Sequence, residues 1–378
     1  MKIKKLLTVF FLAAFCFLLP VSAESEDNAE DFYAEQYKNS GADGLPDSLP
    51  DTAEEYFQKY GIDPSDYNWV NSFSAKSVFG HIWGFIKDGA KSPLRAGAGI
   101  TAIILIAAAL KTAEIKSSAA ITAIYASAVA SAAVIATPVY SVITASADAL
   151  KGTSVFMLSF IPVFAVIVAA SGAAATSASM SALLLGASQA VSYISNFVVL
   201  PLMGGYLALS ISGAVSPIIK KSGIAEMIKK LAFWIMAFIS TVFVGILGIQ
   251  TAVNASADSL TAKTAKFIIG SSVPVAGGVL SEALGTVTAS MGLLKSSVGI
   301  YGAAVCLFTF LPLITELLMW RAVLLITAGI SELFSVTEIS GLLKAVDSMM
   351  SVLVGIILLV GAMFIISLAL VVSAGKAQ

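Results

Sequence analysis

The sequence has very few of the side chains from which enzymes build metal sites and nucleophilic triads. It contains one histidine and two cysteines among 378 residues, and charged residues make up only 12% of the chain. A zinc site or a histidine-based triad needs more such partners than this. Cys16 and Cys306 both lie in apolar runs, so no disulfide framework is expected. We therefore expect no enzyme activity, no metal, no cofactor and, without a clustered basic face, no nucleic-acid partner.

Apolar residues, in contrast, are present in large excess. They make up 58% of the chain, and the mean hydropathy is +0.91. A soluble protein of this length does not need so much apolar surface, whereas a protein that crosses the bilayer several times does. The predicted fold class is all-α: a polytopic integral membrane helical bundle with an internal repeat and broken or re-entrant helices.

The N-terminus has the pattern of a secretory signal peptide over residues 1–23. Three lysines precede an apolar core, and Val21-Ser22-Ala23 forms a small-residue cleavage site. An uncleaved anchor is the alternative. Residues 24–92 follow as an acidic segment with 14 acidic and five basic side chains, which is expected to lie outside the cytoplasm.

Two helices are predicted inside this acidic segment. The capping-box spacing from Thr52 to Glu55 and the terminal Gly61 delimit a short helix. Its aromatic residues Tyr56, Phe57 and Tyr60 either dock on a partner or on the membrane body, or belong to a half-ordered tether, and the tether is favoured. Residues 73–90 then form an amphipathic helix with Trp83, typical of the headgroup layer.

Residues 93–144 are predicted to hold the first two transmembrane helices, at Leu94–Leu110 and Ala119–Ile143. The first is expected to begin at Ser92-Pro93 as N-cap and first-turn proline. Lys111 and Lys116 lie between the two spans and indicate a cytoplasmic loop.

The rest of the chain has the signs of a duplication, with repeat one at residues 145–253 and repeat two at residues 254–378. Asp148 corresponds to Asp258, Pro162 to Pro274 and Pro201 to Pro312, in the same order and with offsets of 110 to 112 residues. A basic loop at residues 220–230 indicates the cytoplasmic side. The charges favour six full spans and a parallel repeat, in which residues 155–175 and 267–286 either re-enter on one face or cross fully.

The stretch Asn254–Gly302 is the predicted working part. Its candidate channel or packing residues are Lys266, Pro274, Gly277, Gly278, Glu282 and Asp258. Proline and paired glycines free backbone groups, which in lipid must find partners in protein or water, and a lone acid at membrane depth is a functional candidate. A spanning helix with a proline kink is the structural alternative.

The second repeat has two further features. Glu316 and Arg321 bracket Trp320 near a predicted span end, where they either pair with each other or Arg321 extends to the surface. Residues 332–347 are expected to form an interfacial connector helix.

The residues Thr264–Gly302, with TAKF, PVAGG and the following SEA, resemble the central stretch of the stage III sporulation protein AE family. This resemblance implies an integral protein of the mother-cell membrane around the forespore, with its N-terminal segment in the intermembrane space. It implies partnership with other stage III sporulation membrane proteins in a channel or feeding complex needed for late forespore gene expression, in addition to contact with the bilayer and a possible homo-oligomer. No catalytic residue carries over. A secondary permease for a small solute is the alternative.

Overall fold

The computed structural model describes residues 27–63, 75–112, 118–215, 223–272 and 277–373. Within these ranges the chain is helical apart from short turns, and it contains no strand. The predicted signal at residues 1–23 lies outside the described residues. The helices are α1 (Asp27–Asn39), α2 (Asp51–Tyr60), α3 (Ala75–Thr112), α4 (Ser118–Ala170), α5 (Ala174–Ile194), α6 (Leu200–Val215), α7 (Gly223–Ser272), α8 (Gly277–Leu333) and α9 (Thr337–Ser373). Short 3-10 turns link α1 to α2, and a π-helical turn, Ser195–Val199, links α5 to α6.

Six helical stretches in the described part of the chain are long and apolar enough to cross a membrane. This confirms the prediction of an all-α integral membrane protein. The stretches are Trp83–Lys111, Thr122–Ala170, Ser177–Gly213, Gly223–Ile246, Met291–Leu333 and Thr337–Ala369.

The division into helices differs from the sequence prediction at several prolines. Helix α3 runs through Pro93, so the expected helix start at Ser92-Pro93 is wrong. Helix α4 runs through Pro138 and Pro162, so the second predicted span and residues 155–170 form one helix. Proline inside a helix is tolerated where neighbouring protein can satisfy the freed backbone groups. The re-entrant arrangement of residues 155–175 and 267–286 stays a prediction.

Helices α8 and α9 form the centre of the bundle. The most apolar windows of α8 and α9 are 94% and 83% buried inside the protein, whereas that of α7 is only 17% buried. The two helices are joined by a tight turn in which Ser335 has a φ of 59°. The expected connector helix over residues 332–347 is therefore wrong, because α8 ends at Leu333 and α9 begins at Thr337. Helix α7 instead exposes large apolar side chains, including Trp234, Phe238 and Ile249, as suits a lipid-facing helix.

Candidate functional site

Residues 33–63, called here the N-terminal segment, fold into a compact cap. Helix α2 ends at Gly61, whose φ of 61° lies in the left-handed region that glycine adopts without strain. The amide of Ile62 then donates to the carbonyl of Phe57 at 2.9 Å. The predicted helix is confirmed, but its capping box is wrong: the helix begins at Asp51 after Pro50, and no side chain caps it.

Aromatic side chains attach this segment to α8 and α3. The Phe57 ring lies edge-on to Tyr301 and Phe308, with ring centroids 5.3 and 5.8 Å away. Tyr56 stacks on Phe308 at 5.9 Å and contacts Phe85 edge-on at 4.8 Å. Such pairs contribute about 0.5–1.5 kcal/mol each beyond the area that they bury. The half-ordered tether favoured by the sequence is therefore wrong, and docking on the membrane body is confirmed for Tyr56 and Phe57.

Polar and small residues complete the same interface. The Tyr33 hydroxyl shares a buried hydrogen bond with the Ser297 hydroxyl of α8 at 2.8 Å. On α4, Gly152 is so close to Pro50 that a Cβ atom built on the glycine would lie 3.2 Å from the proline Cβ. Burial raises the pKa of the Tyr37 phenol well above its ordinary value. The N-terminal segment thus contacts α3, α4 and α8 together.

A second feature is a polar cluster that joins the three C-terminal helices, formed by Arg321, Asp347, Lys229 and Ser348. The Nε of Arg321 in α8 donates to Oδ1 of Asp347 in α9 at 2.8 Å, and the two side chains are only 23% and 14% exposed. One residue further along α9, Ser348 accepts a hydrogen bond from Nζ of Lys229 in α7 at 3.1 Å. Ionisable groups inside membrane helices are expensive and usually serve a function.

This cluster answers the question left open for Arg321. Its ion-pair partner is Asp347, whereas Glu316 lies where α8 passes Gly89 of α3. The pairing follows from the turn between α8 and α9, which the sequence did not predict. Positions 321 and 347 are equally distant from residue 334, the turn between two antiparallel helices, so they must lie at the same height.

The buried hydroxyl groups of the long helices bond mainly within their own helix. Ser146, Thr153, Thr309 and Ser367 each donate to the carbonyl four residues earlier, at 2.6–2.8 Å. These bonds satisfy buried polar atoms without a neighbouring helix. They do not by themselves outline a polar path.

The residues singled out in the central stretch fall in less completely described parts of the chain. Asp258 and Lys266 belong to the second half of α7, and Gly277, Gly278 and Glu282 belong to the first turns of α8. Their side-chain positions lie outside the described residues. Pro274 lies outside them entirely. Their role as candidate channel or packing residues therefore stays a prediction.

Other site chemistries find little support in the described ranges. No group of three His, Cys, Asp or Glu side chains there is placed to hold a metal ion. A small cleft between α5, α7 and α9 is lined almost wholly by apolar side chains, among them Leu184, Phe243, Met363 and Phe364.

Comparison with known proteins agrees with the family resemblance found in the sequence. The family described as stage III sporulation protein AE matches residues 70–375. Stage III sporulation protein AE of Bacillus subtilis (strain 168) is 26% identical to this chain over 231 residues, which cover 61% of this chain and 57% of that protein. The match thus spans little more than half the length of this relative. No solved structure matches.

Proposed function

Since the chain belongs to the stage III sporulation protein AE family, we propose that it is a multi-span membrane component of the sporulation stage III complex linking mother cell and forespore. Its part there is structural or channel-forming, and it is needed for late forespore gene expression and spore formation. The observation that carries this proposal is the family match over most of the chain. The six helical stretches that are long and apolar enough to cross a membrane support it.

We place the protein in the mother-cell membrane around the forespore, with the N-terminal segment in the intermembrane space. The signal-like residues 1–23 and the acidic composition of residues 24–92 support this orientation. Lys111 at the end of α3 donates to the carbonyl of Ser335 in the α8–α9 turn. Lysine near this end supports a cytoplasmic position for the turn. The proposed partners are the other stage III membrane proteins and further copies of this chain.

The internal repeat and its central stretch form a finer part of the same proposal. In support of the repeat, helices α4, α5 with α6, and α7 follow one another in the same order as α7, α8 and α9, and their first residues are 105, 103 and 114 residues apart. We propose that Asp258, Lys266, Pro274, Gly277, Gly278 and Glu282 line or pack the working part of repeat two. Glu282→Gln and Gly277→Leu variants test this, because both should lower the spore titre without lowering the amount of protein in the membrane.

The proposed function is tested by deleting the gene in its host. We expect normal vegetative growth, completed engulfment, and then loss of late forespore gene expression and of heat-resistant spores. Complementation with the full chain should restore both readouts. Normal sporulation in the deletion strain would contradict the proposal. A secondary permease would then lead, and solute uptake into vesicles that contain the purified protein alone would be the measurement to make.

A further inference from the structure

Several helices are far longer than a bilayer is thick. Helix α4 has 53 residues and α8 has 57, which at 1.5 Å per residue correspond to roughly 80 and 85 Å. The hydrocarbon layer is about 30 Å thick, and membrane helices tilt by about 20° on average. Tilt alone cannot accommodate such lengths, so a large part of each helix lies outside the hydrocarbon, however apolar its sequence.

Exposed charges on α3 mark one boundary of the hydrocarbon. Asp88 and Lys91 form an ion pair whose side chains are 74% and 77% exposed, and Arg95 is also exposed. From Arg95 to Lys111 the helix has no charged residue, and the distance from Lys91 to Lys111 is about 30 Å. The hydrocarbon on this side of the protein therefore ends close to Lys91.

The same height can be located on α8, because the two helices touch there. A Cβ atom on Gly89 would lie 3.1 Å from the Cα of Glu316, so Glu316 lies level with the charged part of α3. Glu316 lies about 29 Å along the helix axis from Ser335 in the α8–α9 turn. The boundary marked by the charges of α3 thus falls at Glu316 on α8, about one hydrocarbon thickness from the α8–α9 turn.

The N-terminal segment contacts α8 entirely beyond that boundary. Phe308, Tyr301 and Ser297, its contacts on α8, lie about 12 to 28 Å further along the helix than Glu316. The segment itself is polar, with exposed charged residues such as Asp47, Glu55 and Lys59. Such a surface belongs in water.

We propose that the helical body continues past the bilayer on the side of the N-terminal segment, so that α8 from Ser297 to Phe308 and α4 from Gly152 to Val166 form an extramembrane helical body. At this height Gly152 of α4 contacts Pro50 of the N-terminal segment. The nearby residues Val155, Leu158 and Val166 of α4 are 50%, 48% and 58% exposed. These side chains face the aqueous space and not lipid. Residues 155–175, which the sequence predicts to re-enter or to cross the membrane, then form an extramembrane hairpin of α4 and α5.

Cysteine labelling of the full chain in membrane vesicles tests this proposal. A membrane-impermeant maleimide is added to right-side-out and to inverted vesicles that carry Val155→Cys, Leu158→Cys or Val166→Cys. Thiols in water ionise and react, whereas thiols in hydrocarbon do not. Asp47→Cys reports where the N-terminal segment lies, and Val129→Cys, 47% exposed lower on α4, is the matched membrane control. The parent chain gives the background, because Cys306 is buried.

The proposal expects the three α4 cysteines to react from the same side as Asp47→Cys, at rates within about tenfold of it, while Val129→Cys reacts from neither side. Reaction of Asp47→Cys without reaction of the α4 cysteines would overturn it, because α4 would then be in lipid. Reaction of all four cysteines only in inverted vesicles would support the extramembrane body and separately contradict the exported orientation under the proposed function.

Discussion

Replacing Phe57 with alanine should release the N-terminal segment from the helical body. The ring is 4% exposed and lies edge-on to Tyr301 and Phe308. Loss of a buried phenylalanine costs about 3–5 kcal/mol, which corresponds to a change of roughly 100- to 4,000-fold in the ratio of docked to released segment. Two exposed lysines in the segment, Lys38 and Lys59, make limited trypsin digestion a direct measurement.

Cleavage at these lysines follows the released population when release is fast compared with cleavage. We therefore expect Phe57→Ala to accelerate cleavage at both sites by at least tenfold in membranes. Glu55→Ala, an exposed position on the same helix, should leave the cleavage rate unchanged. Equal rates for Phe57→Ala and the parent chain would refute the reasoning, because burial of this ring could then not be what holds the segment in place.

Three further predictions concern the ion pair, the helix packing and pH. Arg321→Ala should lower the free energy of unfolding by about 1–3 kcal/mol, between the costs for exposed and buried pairs. A double-mutant cycle with Asp347→Ala should assign most of this loss to the coupling energy between the two side chains. A coupling energy near zero would contradict the pairing. Gly302→Ala places a Cβ atom 2.5 Å from the Phe160 ring and should cost about 1–3 kcal/mol in a denaturation experiment. Gly329→Ala, which meets open space, should be neutral or stabilising, and equal effects would contradict the packing. Because burial raises the pKa of Tyr37, docking should be unaffected below pH 10, the ordinary value, and weaken progressively above it. Tyr37→Phe should flatten this dependence, as measured with a protease active at alkaline pH, and an unchanged slope would exclude Tyr37 as its source.

The features that could be predicted from the sequence are those fixed by local composition. Long apolar runs cannot remain in water, so membrane-spanning helices follow from hydropathy alone. The end of helix α2 followed from Gly61, whose left-handed conformation ends a helix whatever lies nearby, whereas the capping box predicted at its start does not form. The family resemblance of Thr264–Gly302 also depended on a continuous stretch of residues, and the family match over residues 70–375 confirmed it.

The features that were missed depend on contacts between distant parts of the chain. The sequence around Tyr56 and Phe57 does not show that these side chains contact Tyr301 and Phe308, more than 240 residues away in the chain. The polar composition of the segment alone therefore predicts a tether. Pro93 predicts the start of a span, but the helix continues through it because α8 packs against it on both sides, at Gly89 and at Gly97. Arg321 was compared with acids nearby in sequence, whereas its partner lies 26 residues away across a hairpin.

The fixed position of the N-terminal segment on the helical body can be measured most directly with a disulfide. A Cβ atom on Gly152 lies 3.2 Å from the Cβ of Pro50, close to the separation of about 3.8 Å found in disulfides. Pro50→Cys with Gly152→Cys should therefore form an intramolecular disulfide in native membranes, visible as a mobility shift reversed by reductant. Pro50→Cys with Gly99→Cys, on α3 below the charged boundary, should not. Absence of the first disulfide even with added oxidant, or equal formation of both, would contradict the account.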